Sequence, residues 1–170
     1  LYPFEQMLKA GVGSVMIAHL YISAIDTTAN TATSLSKKNV TGLLRNTLHF
    51  QGLTFTDALG MKGVAKFFPG GQIAAQSLIA GNDMLCLPED VATSIAKIRG
   101  AIDSNNLSGN DVYAKCKKVL EYKYLYGIAH AKPVDTINLV KEENTGVDDV
   151  RKLVAENAIT VLNNRDKEFF

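Results

Sequence analysis

Cysteine, charge imbalance and long apolar runs are all scarce in this sequence, and each scarcity closes a class of explanation. The two cysteines, Cys86 and Cys116, fall inside apolar segments and read as buried free thiols; a disulfide between them has no support. Eighteen basic and 17 acidic residues leave a net charge of +1. With no run of like charge and no alternation of aromatic and basic residues, no nucleic-acid partner is expected. No apolar stretch reaches the roughly 20 residues of a membrane helix, so no membrane span is expected either. His19, His49 and His130 lack zinc-type spacing, and Gly60, Gly63, Gly70 and Gly71 fit neither common phosphate fingerprint. Neither a metal nor a cofactor is implied. The chain opens on Leu1 without the basic, apolar, small-residue order of a signal peptide. Any targeting signal is expected to precede Leu1, which leaves cytoplasmic, periplasmic and secreted locations open.

What is present is the material of one globular domain or a large piece of one: 170 residues, 46% hydrophobic and 21% charged. Short apolar runs alternate with amphipathic stretches. Pro3 to Leu8 has helical spacing and stops at Gly11 and Gly13. Ser14 to Ala18 has the pattern of a strand covered on both faces, with His19 at its exit. After a loop rich in Thr, Ala, Asn and Ser, Ser36 is placed to cap a helix carrying Val40, Leu43, Leu44 and Leu48. The cycle repeats with Leu53 to Thr56, then Asp57, then a helix near Gln72 to Ala80 closed by Gly81. It starts a third time with Met84 to Leu87, followed by Pro88, Glu89 and Asp90 at the start of a helix striped by Val91, Ile95, Ile98 and Ile102. Ser108 and Asp111 open an outer packing helix striped by Val112, Cys116, Val119 and Leu120.

This alternation predicts an α/β fold of parallel strands joined by right-handed crossovers, and periodicity does not separate an open sheet from a barrel. Residues 127–145 have linker composition, a helix is expected over 147–157, and a strand-like run begins at Ala158. The expected organisation is a partial catalytic barrel over 1–126, linker and helix over 127–157, and the start of a further domain over 158–170. Phe169 and Phe170 read as exposed only by that boundary.

Parallel strands deliver His19, Asp57 and Pro88 to one rim. An imidazole and a carboxylate there suit acid/base or covalent catalysis. A carboxylate after a strand also caps helices or satisfies loop amides, and a histidine is often structural, so the residues alone leave both readings standing. His49 at a helix end and His130 in the linker read as solvated.

A set of segments, in order, bears a resemblance more specific than any one of them: Val15-Met16-Ile17-Ala18-His19, Leu35-Ser36-Lys37-Lys38, Thr41-Gly42-Leu43-Leu44-Arg45, Phe50-Gln51-Gly52-Leu53, Thr56-Asp57-Ala58-Leu59-Gly60-Met61 and Ala80-Gly81-Asn82-Asp83-Met84-Leu85. Together, over about Leu1 to Gly127, they resemble the carboxyl-terminal part of the (β/α)8 TIM-type catalytic barrel of glycoside hydrolase family 3, closest to its β-N-acetylhexosaminidase branch. Residues Ala155 to Leu162 resemble the entry to the second domain that commonly follows. The resemblance implies that Asp57 is the nucleophile of a retaining, exo-acting β-N-acetylglucosaminidase, and that Met16, His19 and Met61 lie near the sugar. β-Glucosidase or β-xylosidase activity is the nearest rival within the family. A noncatalytic module retaining the fold, and another barrel enzyme using Asp57 as a general base, are the readings from outside it.

The departures from the pattern are as informative. By the resemblance, members of this branch carry a substrate-binding Lys-His-Phe-Pro-Gly-His segment and then an Asp-x-His acid/base pair upstream of the Met-x-Ala-His strand, and neither occurs in this sequence. Lys66-Phe67-Phe68-Pro69-Gly70-Gly71 follows the nucleophile, lacks both histidines, and reads as a loop. About three of a barrel's eight strands are therefore expected, the sixth to the eighth. Such a piece is expected to be inactive alone and to self-associate through exposed strand edges.

Overall fold

The computed structural model describes residues 1–133 and 135–160. Contacts divide the chain into a unit Leu1–Ala129 and a second unit beginning at His130. The first unit contains α1 (Tyr2–Lys9), β1 (Ser14–Ile17), a 3-10 turn (Thr33–Leu35), a π-helix (Lys38–Thr47), β2 (Leu53–Ala58), α2 (Lys62–Ala65), α3 (Gln72–Ala80), β3 (Met84–Cys86), α4 (Val91–Asp103) and α5 (Gly109–Leu125).

The three strands form one parallel sheet in the order β1-β2-β3. β2 is central because each crossover moves the chain one strand further in the same direction. Register pairs Ser14 with Leu53 and Met16 with Phe55, then Phe55 with Met84. Side chains alternate along a strand, so Met16, Phe55 and Met84 share one side. The other side is covered by helices. Ile17 packs there with Val40, Leu44, Phe50 and Ala80, and a second cluster gathers Ala32, Leu35, Leu59, Val64, Ile73 and Ala74. A leucine as buried as Leu35 contributes about 2 kcal/mol.

Several local expectations are corrected. The strand at Leu53 runs two residues further, to Ala58, and takes in Asp57. β1 ends at Ile17, and β3 ends at Cys86, where Leu87 turns to a φ of 43°. The helix after Ser36 is wound with π-type bonding and its N-cap is Lys37, although the Ser36 hydroxyl does accept the Asn39 N–H at 3.2 Å. Gly81 closes α3 as expected, and a Cβ there would lie 2.6 Å from Thr41 Oγ1, so glycine answers both the φ of 115° and the space.

Along α4, Ser94 is buried while Val91 and Ile95 are exposed, so only Ile98 and Ile102 of the expected stripe turn inward. α5 has no buried residue, and its contacting face is Val112, Lys115, Lys118, Val119 and Tyr122. Cys116 and Leu120 face solvent; Cys86 is half-buried, and both thiols are free. Of the expected stripe, Val112 and Val119 are thus borne out and Cys116 and Leu120 are not, because a carboxylate draws two lysines of α5 inward, as described below.

The second unit contains α6 (Leu139–Glu143) and α7 (Val147–Ala158), the latter covering the expected helix. Ala158 ends α7 rather than beginning a strand. The remainder of that strand-like run beyond Thr160, with Phe169 and Phe170, lies outside the described residues. Among the described residues, no helix is long and apolar enough to cross a membrane.

Candidate active site

Asp57 lies near the carboxyl end of the central strand, at an irregularity. Phe55 pairs with Met84, but Ala58 rather than Asp57 pairs with Cys86, so one extra residue is accommodated in β2. Bulges of this kind re-aim a side chain. The lost ladder bond is replaced locally: Thr56 Oγ1, fully buried, accepts the Cys86 N–H at 3.0 Å. Asp57 Oδ1 accepts the N–H of Ala58 at 2.8 Å. It does not cap α2, whose N-cap is Met61 with no side-chain cap bond. Among the described residues no cation pairs with Asp57.

His19 follows β1 and reaches the same rim. Its Nδ1 is 2.6 Å from Ser34 Oγ, and its Nε2 is 3.0 Å from the Ala58 carbonyl oxygen. Both ring nitrogens are therefore engaged by protein groups beside Asp57. Met16 is 61% exposed and Met61 48%, the first on the open side of the sheet and the second in the turn after β2. A hollow of about 360 Å³ opens beside His19, bordered by Tyr21, Asn30, Thr31 and Phe67. A larger hollow, about 720 Å³, lies at the opposite strand ends near Gly13 and Gly52, away from Asp57. Among the described residues, no group of three or more His, Cys, Asp or Glu is arranged to hold a metal ion.

The loop after β1 is organised by Asp26, a residue the sequence analysis passed over. Its carboxylate accepts from Ser36 Oγ at 2.6 Å, from Thr28 Oγ1 at 2.8 Å, and from Thr28 N–H and Lys38 Nζ at 3.1 Å each. The Ser36 hydroxyl above all, then Thr28, holds this carboxyl well below the usual carboxylate range. The Asp26-Thr27-Thr28 spacing is that of an Asx turn and was the available signal. Because the folded value is depressed, the stabilisation is complete above the unfolded value of about 4 and is lost as pH falls towards the folded one. The difference in melting temperature between the native protein and Asp26→Asn should thus be constant above about pH 5 and shrink below about pH 4. A difference independent of pH would remove the carboxylate from this role.

At the opposite strand ends lies Asp83, its side chain 5% exposed, a residue named above within a segment but given no role of its own. It accepts from Arg45 at 2.7 Å, from the Thr54 N–H at 2.9 Å and from Lys118 at 3.1 Å, with Lys115 at 3.9 Å. Burial raises the carboxyl's pKa, but the Thr54 amide, Arg45 and Lys118 outweigh it and leave the value lowered. For Lys115 and Lys118 burial prevails over Asp83's attraction, aided by repulsion from Arg45, and both ammonium groups are lowered. Arg45 and Lys118 also donate to the Gly52 carbonyl oxygen. This cluster fixes the entries to β2 and β3.

Comparison with known proteins gives this arrangement a lineage. A β-hexosaminidase of Chromobacterium violaceum is 36% identical over 101 residues, which are 58% of this chain and 28% of the relative. The structure of a glycoside hydrolase family 3 β-N-acetylglucosaminidase from Paenibacillus sp. str. FPU-7 aligns with a TM-score of 0.72 at 26% identity, covering 78% of this chain and 26% of the other. The β-N-acetylglucosaminidase of Thermotoga maritima aligns with a TM-score of 0.65 at 25% identity, covering 91% and 31%. The chain spans less than a third of each. The profile described as glycosyl hydrolase family 3 N terminal domain matches residues 1–122, and the chain therefore belongs to that family.

Proposed function

We propose that this chain is the carboxyl-terminal part of a family 3 catalytic barrel, contributing its last three strands and the nucleophile, Asp57, to a retaining exo-acting β-N-acetylglucosaminidase. The observation that carries the reading is Asp57 itself: an uncapped carboxylate near the carboxyl end of a central parallel strand, where barrel enzymes display reacting groups. Its carboxylate oxygen attacks the anomeric carbon as the glycosidic bond breaks, giving a glycosyl-enzyme. Water then displaces Asp57, and two inversions give net retention. Met16 and Met61 border the sugar with apolar surface, and His19 supports the rim. The leaving group needs a proton donor from outside this chain, so the isolated chain is inactive. Its edge strands, β1 and β3, offer backbone donors and acceptors for self-association. Peptidoglycan-derived N-acetylglucosaminides are the substrate class.

Treating the full-length protein with a 5-fluoroglycosyl fluoride of N-acetylglucosamine should slow turnover enough to trap the intermediate. Peptide mass spectrometry should find the sugar on Asp57. Labelling elsewhere, or only by the glucose or xylose analogue, would replace the assignment or the substrate class respectively.

A further inference from the structure

The hydrogen bonds at His19 specify more than its location. A carbonyl oxygen only accepts, so the bond to Ala58 requires that Nε2 carry the ring hydrogen. In the neutral ring Nδ1 is then an acceptor, and the Ser34 hydroxyl is its donor. Ser34 is itself fully buried in the 3-10 turn, and its carbonyl oxygen accepts Asn82 Nδ2 at 2.8 Å. Asn82, also fully buried, donates in addition to the Ser77 carbonyl at 2.9 Å. The serine is thus anchored to the end of α3, and its hydroxyl, donating to Nδ1, holds the ring in the orientation that aims the Nε2 hydrogen at the Ala58 carbonyl.

The group held by that tautomer is the residue whose amide contacts the carboxylate. Ala58 donates its N–H to Asp57 Oδ1 at 2.8 Å, while its carbonyl oxygen accepts both His19 Nε2 and the Met61 N–H, at 3.0 and 3.1 Å. The register shift between Phe55 and Ala58 makes this the place where regular strand pairing is interrupted. A side chain from β1's exit adds a restraint there.

We infer that Ser34 and His19 are positioning residues for the nucleophile: Ser34 orients the imidazole ring, His19 clamps Ala58, and the Ala58 amide aims the Asp57 carboxylate. This rests on the reading of Asp57 as nucleophile. With both nitrogens occupied, His19 acts on the attack geometry and not by hydrogen-bonding the sugar. A misplacement on the order of 1 Å costs about a hundredfold in rate, so losing one clamp of several should cost less than that.

The test measures covalent labelling of Asp57 by the same 5-fluoroglycosyl fluoride in the full-length protein, separating the limiting rate from the half-saturating concentration. His19→Phe should lower the limiting rate about 30-fold and Ser34→Ala about fivefold, with half-saturation within about threefold of the native value. His19→Gln places a donor near Nε2 and should recover most of the rate. An unchanged limiting rate in His19→Phe and Ser34→Ala overturns the inference, as does a loss confined to half-saturation or a His19→Gln variant as slow as His19→Phe. If His19→Phe does not fold, Ser34→Ala, which removes a single oxygen, decides. Native protein that is not labelled at Asp57 would instead overturn the nucleophile assignment and this inference with it.

Discussion

Replacing Asp57 by asparagine in the full-length protein is expected to reduce kcat on a nitrophenyl β-N-acetylglucosaminide by at least about a thousandfold while leaving the melting temperature close to native. The amide has nearly the carboxylate's volume, and the oxygen that accepts the Ala58 N–H is retained. What disappears is the negative charge and the capacity to form an ester with the anomeric carbon. Because no cation pairs with Asp57 among the described residues, the substitution strands no buried partner, and so the loss in turnover should not be accompanied by a loss in folding. Retained turnover would remove Asp57 from its role. Lost turnover with a lowered melting temperature would point to a structural carboxylate.

The opposite combination is expected at Asp83. Asp83→Asn should destabilise the full-length protein by about 3–5 kcal/mol, read from urea unfolding, because it leaves Arg45, Lys115 and Lys118 partly buried around a neutral amide. The cost comes mainly from mutual repulsion and lost compensation, since Arg45 and Lys118 keep their bonds to the Gly52 carbonyl. Adding Lys115→Met to Asp83→Asn should therefore recover part of the loss: it removes one positive charge whose contact with Asp83 is the longest of the three. A destabilisation below about 1 kcal/mol, or no recovery in the double variant, would show that the charges relax into solvent.

How much of this was legible in the sequence depended on the kind of force involved. Apolar periodicity reports burial, and it located three strands and the longer helices between them within a few residues, though not the one-turn α2, which lies where a loop was expected. It had no access to the extra residue in β2, because a bulge changes pairing without changing the alternation that announces a strand. It also misjudged half of the α5 stripe: Val112 and Val119 turn inward as expected, but Cys116 and Leu120 do not, because the helix is also held to Asp83 through Lys115 and Lys118. Asp26 and Asp83 were given no role for a related reason. A carboxylate is visible as a charge, but its partners lie up to 38 residues away in Asp83's case, and no local pattern names them. The role proposed for Asp57 likewise rests on its ordered neighbours, not on its own position after a strand.

The two ends of the parallel sheet consequently differ in how freely a single residue can be exchanged. Around Asp83 each partner answers a charge or a backbone carbonyl on a different element, so drift there requires concerted replacement. The rim beyond Asp57 is built from loops whose exposed residues, such as Tyr21 and Phe67, have few such obligations. The loop residues of one rim can therefore be exchanged while the charge cluster at the other end of the strands stays intact.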